Sequence, residues 1–303
     1  FEYKLLSNAF NNSDIKSGIN VLKSKKIKIS KITKKFEKFF AKKIGCKYAL
    51  MTNSGSSANL LAIAALTNPL NSKKIPANSE IIIPAVCWST SLWPIVQNNL
   101  KPVFVDVDIN TFNIDVEKIE KKITKKTKAI IVVHEFGNVC NMNKLLKISK
   151  KNNIKLIEDA ACSLGSKYNN KLTGLFGDIA CFSFHPRKII TTSEGGVVIS
   201  KSNKNYKFIK MYKNHGLDNK KNKISFLLPG LNYRLSEINS VLGLDQIESI
   251  SNKIRHRRKI AKIYNSIFQN EKDLILTQEK ANVYCNYQSY HILLKNNSIR
   301  NKL

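Results

Sequence analysis

The sequence predicts an α/β fold built on a mainly parallel sheet, and two observations predict it. The first half of the chain carries short apolar runs without polar alternation, the mark of strands covered on both faces. Stretches with helical spacing separate those runs, as crossovers between parallel strands require.

Taken in order, Ile32, Phe36, Phe39, Phe40 and Ile44 follow helical spacing and predict an amphipathic helix over residues 31–44. An apolar helical stretch follows at 60–66, and the strand-like runs lie at 81–86, 102–107, 129–133, 155–157 and 179–184. After 197–200 the character changes: 216–229 is polar and loop-like, and 235–268 is helical. A long helix from about Ser251 leads toward short strand candidates in 273–295, notably 290–294. This pattern divides the chain into a large domain over 1–240 and a smaller, partial α/β domain over 241–303.

With 303 residues, 43% hydrophobic and 24% charged, the composition is that of a globular protein and excludes global disorder and fibrous classes. No apolar run reaches the ~18–20 residues of a membrane helix, and the first eleven residues lack a basic-then-apolar leader pattern. The net charge of +30 raises nucleic acid as a partner. Only six of the 51 cations are Arg, however, and only Arg255, His256, Arg257 and Arg258 form a compact basic cluster. Base readout leans on bidentate Arg, so the charge reads as a lysine bias of a solvated surface, without nucleic acid as partner. Its field still attracts phosphorylated ligands. Cys46, Cys87, Cys140, Cys162, Cys181 and Cys285 show no metal or Cys-x-x-Cys spacing and fit a reducing cytoplasm.

Ligands of open α/β sheets gather at the carboxyl ends of strands. Asp159 follows the run at 155–157. Taken alone, it reads as a helix cap, a metal ligand or the partner of a cationic cofactor. Lys188 follows the run at 179–184, ahead of Gly195-Gly196, and taken alone reads as a surface cation or a functional amine. Ser54-Gly55-Ser56-Ser57 opens an apolar helix, where free N–H groups and the helix dipole favour phosphate. Trp88, after 81–86, is either core or a stacking platform. Phosphate cradle, aromatic plate, strand-end Asp and strand-end Lys, in that chain order, are the parts of a pyridoxal phosphate site. His134, His215, His256 and His291 have no partner visible in the sequence.

On these residues the sequence resembles the DegT/DnrJ/EryC1/StrS sugar aminotransferases, fold-type-I pyridoxal phosphate enzymes acting on nucleotide-linked keto-sugars. The motifs are Ser54-Gly55-Ser56-Ser57-Ala58, Glu158-Asp159-Ala160-Ala161, Gly177-Asp178, Ser183-Phe184-His185-Pro186-Arg187-Lys188, Glu194-Gly195-Gly196 and Gly230-Leu231-Asn232-Tyr233-Arg234-Leu235-Ser236. The resemblance implies Lys188 as the catalytic, Schiff-base lysine and Asp159 as the partner of the pyridine nitrogen. Trp88 stacks on the ring, and Ser56, Ser57 and Ser183 hold the phosphate. Asn232 reaches the phosphate of a neighbouring subunit, which implies a homodimer with shared sites. His185 lies near the phosphate or substrate, or is structural. Cys162 stands near the ring where the family commonly has Gln.

The reaction implied is nitrogen transfer from an amino acid, glutamate by resemblance, to a keto-sugar carried on a nucleoside diphosphate. Its product is an amino sugar for lipopolysaccharide or another surface polysaccharide. A related branch, the nucleotide-sugar 3-dehydratases, carries His in place of the lysine. A non-catalytic cofactor- or polyanion-binding protein is the reading from a different class, and intact Lys188 and Asp159 argue against it.

Overall fold

The computed structural model describes residues 9–25, 31–218 and 224–295. The first eight residues of the leader reading, Arg300 and part of the predicted 216–229 loop lie outside them. Seven strands form the central sheet: β1 (Tyr48–Thr52), β2 (Glu80–Pro84), β3 (Lys101–Val105), β4 (Thr127–Val133), β5 (Lys155–Asp159), β6 (Ile179–Ser183) and β7 (Gly196–Ser200). Their spatial order is β1-β7-β6-β5-β4-β2-β3. From β3 through β6 every neighbouring pair is parallel. Strand β7 is antiparallel to both β6 and β1, so it alone is reversed. The carboxyl ends of six strands and the amino end of β7 therefore share one edge. Pro102 sits in β3, an edge strand, where a missing ladder donor is tolerated.

The helices are α1 (Asn12–Lys23), α2 (Lys31–Ile44), α3 (Gly55–Leu66), α4 (Ser89–Gln97), α5 (Val116–Ile119), α6 (Met142–Lys151), α7 (Asn203–Tyr212), α8 (Glu237–Glu248) and α9 (Ile250–Phe268). Helix α3 is apolar nearly all round, which marks a helix buried on all sides. Its Leu61, Ile63 and Ala65 pack with Leu50, Ile83, Cys181 and Val198 of the sheet. On the opposite face α2 supplies Phe36 and Phe40, which pack with Met51, Phe182, Phe184 and Ile199. The Phe40 and Phe182 rings meet edge to face at 5.5 Å. Gly243 admits α8 to this layer, since a Cβ there would lie 2.6 Å from the Phe36 ring.

The predicted helix over 31–44 and the predicted strands are present, with ends shifted by one or two residues. The long helix expected from about Ser251 is α9, which begins at Ile250 after Ser249 leaves helical geometry at ψ 3° and ends α8. Two features differ from the sequence reading. Strand β1, five residues long, carried no signal strong enough to predict it. The 216–229 stretch is not all loop: Leu217–Asp218 pairs with Ser225–Phe226.

Beyond α9, Leu274–Leu276 pairs with Ile292–Leu294. Val283–Tyr284 joins the hairpin Lys167–Tyr168/Lys171–Leu172, tying this segment to the first part of the chain. Two arginines of the basic cluster are used internally. Arg257 donates to the Gln288 carbonyl at 2.7 Å, and Arg258 donates to Glu279 and the Cys285 carbonyl while lying over the Tyr284 ring. Among the described residues no helix is long and apolar enough to cross a membrane.

Candidate active site

The shared edge collects a segment from six of the seven strands. The chain leaving β1 turns at Ser54, which caps α3 by accepting from the Ser57 N–H at 3.0 Å. Ser57 is buried and its hydroxyl lies 3.0 Å from that of Ser54, while Ser56 is exposed. The first turn of α3 carries N–H groups without partners inside the helix, a ready anion site. Three backbones converge there. A Cβ on Gly55 would lie 2.7 Å from the Cβ of Ser183, and one on Gly196 would lie 2.5 Å from the Ser54 carbonyl oxygen. No side chain fits at either position, so β1, β6 and β7 close on one small region.

Asp159, the last residue of β5, is only 3% exposed. Asn59 Nδ2 and Ser91 Oγ donate to its Oδ2 at 2.7 and 2.6 Å, and the Ala161 N–H donates to Oδ1 at 3.1 Å. Three donors hold the carboxyl in one orientation. Among the described residues no group of three or more His, Cys, Asp or Glu could hold a metal ion.

Lys188 lies in the loop between β6 and β7. That loop is closed by the Phe184 N–H donating to the Gly195 carbonyl at 2.8 Å and the Thr192 N–H donating to the Phe184 carbonyl at 3.0 Å. Helix α8 pins it from outside, because the Gln246 amide exchanges hydrogen bonds with both backbone groups of Thr191. Lys188 Nζ donates to Cys162 Sγ at 3.1 Å. Burial pushes the Cys162 thiol up, an effect opposed by Lys188 and reinforced by Glu135 and Asp159, so these three groups lie within electrostatic reach of Cys162.

Trp88 precedes α4 and is 68% exposed, an open aromatic residue rather than core. His185 serves its own turn: its N–H donates to Ser183 Oγ and its Nδ1 accepts from the Arg187 N–H, both at 3.3 Å. Asn232 is exposed and bridges backbone to backbone with Asn214. Among the described residues it makes no bond to the other candidate residues.

A buried pair supports the edge from below. His134 Nε2 lies 3.1 Å from Glu158 Oε2, both side chains fully buried. Glu158 also accepts the N–H groups of Gly174, Phe176 and Gly177 at 2.8, 2.8 and 2.6 Å. Burial pushes the Glu158 carboxyl up, but the His134 bond and these N–H groups outweigh it and hold the group below the usual carboxylate range.

Sequence reasoning did not reach Asn59, Ser91 and Glu135. Asn59 left a signal, a lone amide in an otherwise apolar helix, which calls for a buried partner. Ser91 left none. Glu135 follows the apolar run 129–133, a strand end of the kind inspected elsewhere in the chain.

The residues fit pyridoxal phosphate by the chemistry of their donor set. The site offers a helix start and hydroxyls for an anionic end, an open aromatic face for a flat ring, a fixed anion for a cationic ring nitrogen, and a primary amine for a carbonyl. Fold and site together define a fold-type-I pyridoxal phosphate enzyme. The pattern of the DegT/DnrJ/EryC1/StrS aminotransferase family matches residues 9–303, and the chain belongs to that family.

A GDP-4-keto-6-deoxy-D-mannose 3-dehydratase of Escherichia coli is 36% identical over 293 residues, 91% of this chain and 75% of the relative. A GDP-perosamine synthase of Escherichia coli is 36% identical over 273 residues, 89% of this chain and 71% of the relative. The structure of an Escherichia coli GDP-4-keto-6-deoxy-D-mannose 3-dehydratase with bound hydrated pyridoxal phosphate superposes at a TM-score of 0.92. It is 34% identical and covers 98% of this chain and 80% of its own.

Proposed function

We infer that the protein transfers an amino group from an amino acid, glutamate foremost, to the keto carbon of a nucleoside-diphosphate sugar, making an amino sugar for surface polysaccharide. What supports this reading is that Asp159 ends β5, held by Asn59 of α3, on the same sheet edge from which the loop carrying Lys188 leaves β6. When bound, pyridoxal phosphate supplies a ring that withdraws electrons and makes a proton on the carbon next to nitrogen labile.

The chain's own residues do the rest. Lys188 Nζ takes that proton and returns it, as a primary amine can when it is unprotonated. Asp159, fixed by Asn59 and Ser91, keeps an anion facing the ring nitrogen. Trp88 offers its face to the ring, and Ser56, Ser57 and Ser183 with the α3 amides hold the phosphate. Cys162 lies against Lys188 and limits the positions its amine can take. His185 shapes the turn that carries Lys188. We assign Asn232 to a second copy's phosphate, in a cytoplasmic homodimer, and read 241–303 as part of a smaller domain that borders the sugar.

The dehydratase names among the relatives support a second reading, 3-dehydration of the same class of sugar. Lys188 favours transamination, because its amine could take and return a proton in both halves of a nitrogen transfer.

The test is the visible absorption spectrum after adding pyridoxal phosphate, for wild type and Lys188→Ala, before and after glutamate. A band that requires Lys188 and shifts with glutamate supports transfer. Product analysis with a GDP-linked 4-keto sugar then separates amination from dehydration. Loss of dependence on Lys188 overturns the reading.

A further inference from the structure

The side chain that touches Lys188 is a thiol. Lys188 Nζ lies 3.1 Å from Cys162 Sγ and donates to it. A covered thiol commonly serves as a small apolar filler. Three of the other thiols have polar partners, and those are backbone groups. Cys140 Sγ donates to the Val133 carbonyl, Cys46 Sγ donates to that of Tyr48, and Cys285 Sγ accepts from the Tyr287 N–H. Cys162 differs from these three in facing a primary amine.

Both partners are held from behind. The Cys162 carbonyl accepts from Asn286 Nδ2 at 3.0 Å, and Asn286 is fully buried. One residue earlier the Ala161 N–H is bonded to Asp159, and one residue later the Ser163 N–H donates to the Ala160 carbonyl at 3.0 Å. On the other side, the Lys188 N–H donates to the His185 carbonyl at 2.9 Å. The Arg187 carbonyl accepts from Gln288 Nε2 at 2.9 Å. The segment 286–288 therefore braces both loops. It keeps sulfur and nitrogen at a separation from which bonds form, about 3–3.5 Å.

We propose that Cys162 and Lys188 form a covalent modification site: a hydroperoxide oxidises the sulfur, and the amine then closes a reversible sulfur–nitrogen bond. In the first step the thiolate attacks one oxygen of hydrogen peroxide and the O–O bond breaks. The departing hydroxide takes up the thiol proton as water, and Cys162 becomes a sulfenic acid. In the second step the Nζ lone pair attacks that sulfur and the S–O bond breaks. The hydroxide leaves as a second water with a proton from the nitrogen. One peroxide is thus reduced to two waters, and the joined pair is two hydrogens lighter than the separate side chains. Sulfenic acids close in the same way on a backbone nitrogen within reach. A dithiol reverses the step, regenerating thiol and amine as it becomes a disulfide. While the bond stands, Lys188 has no free amine to offer a carbonyl. The bond needs only these two side chains, so it holds independently of the cofactor reading.

The test maps the bond by mass spectrometry. Trypsin yields 156–167, whose one cysteine is Cys162, and 188–201, which has no cysteine. A link between these two peptides is therefore not a disulfide. The full chain is first treated with hydroxylamine, which removes any aldehyde held on the amine, and dialysed. Circular dichroism establishes that it stays folded. Hydrogen peroxide is then added at mildly alkaline pH, because burial pushes the Cys162 thiol up and the thiolate is the reacting form. Remaining thiols are blocked with iodoacetamide and the chain is digested without reductant. The expected product is 156–167 joined to 188–201, two hydrogens lighter than their sum, uncut after Lys188 and released by dithiothreitol. Cys162→Ser should give no joined peptide. Lys188→Ala should stop at the sulfenic acid. Dimedone, which traps that acid, should label Cys162 at least roughly tenfold more in Lys188→Ala than in wild type, since an amine in contact outcompetes a dissolved trap.

Equal dimedone labelling of wild type and Lys188→Ala overturns the proposal. So does a wild-type Cys162 that stays unmodified under excess peroxide, or that passes to sulfinic acid with the two peptides separate. An extra oxygen in the joined product marks a nitrogen–oxygen–sulfur bridge and overturns the direct bond.

Discussion

Asn59 Nδ2 donates to Asp159 Oδ2 at 2.7 Å, and so joins helix α3, whose first turn is the anion site, to the anion at the end of β5. One helix thus serves both ends of the pocket. Asn59→Leu removes the donor and leaves a buried carboxylate short of a partner, at about 1–3 kcal/mol. Pyridoxal phosphate affinity, measured by fluorescence titration, should fall roughly tenfold or more by the same arithmetic. Unchanged affinity would mean that Ser91 and the Ala161 N–H suffice to orient Asp159.

Gly196 lies against the Ser54 carbonyl, where a Cβ would approach to 2.5 Å. Gly196→Ala must push β7 away from the start of α3, at about 1–3 kcal/mol of overpacking strain. Thermal melting should show the loss, and phosphate competition against pyridoxal phosphate should show a weakened anion site. A variant with wild-type melting and affinity would show that the two backbones separate freely.

Glu158 lies 3.1 Å from His134 Nε2 in a fully buried pair and accepts three backbone N–H groups. Its folded-state protonation lies below the usual carboxylate range. The stability it contributes is therefore present above that range and is lost as pH falls through the depressed value. At neutral pH Glu158→Gln should cost about 3 kcal/mol or more, the scale of breaking a buried pair. Urea unfolding at descending pH should show wild type converging on the variant, and a constant gap would refute the assignment.

Glu135 carries the opposite sign. Its carboxyl rises from an ordinary value of 4.5 to about 7, so the folded state keeps a proton that the unfolded chain releases. Stability falls as pH rises across that window, and the loss is complete above it. Glu135→Gln should match wild type below the window and exceed it by about 3 kcal/mol at mildly alkaline pH. Urea unfolding at both ends of the window decides the sign.

Arg258 donates to Glu279 and to the Cys285 carbonyl and lies over Tyr284. Arg258→Met should loosen 274–295, read as faster amide exchange there, and leave heparin binding unchanged. A loss of heparin binding would return the basic cluster to a polyanion role.

The parts of the sheet and site that were legible in the sequence are those fixed by local pattern. Continuous apolar runs marked the buried strands, and strand-end placement marked Asp159 and Lys188. What was not legible depends on the third dimension. Strand β1 is placed by its pairing with β7, and Ser91 by a helix that brings it under Asp159. The upward push on the Glu135 carboxyl follows from its burial and the nearby Asp159 charge, which sequence does not display. The clustered arginines stood out in the sequence as a compact basic cluster, and their internal use was hidden because the acceptors, carbonyls of 285 and 288, lie in a distant segment.

The pairing of Thr52 with Gly196 in the β1–β7 ladder has a consequence for how the protein is made. A ribosome releases the α3 turn early and the Lys188 loop much later. The anion site gains its far wall only once β7 has emerged and folded back beside β1. A half-synthesised chain therefore offers no finished pocket to capture cofactor, and loading is confined to molecules that have closed this long loop.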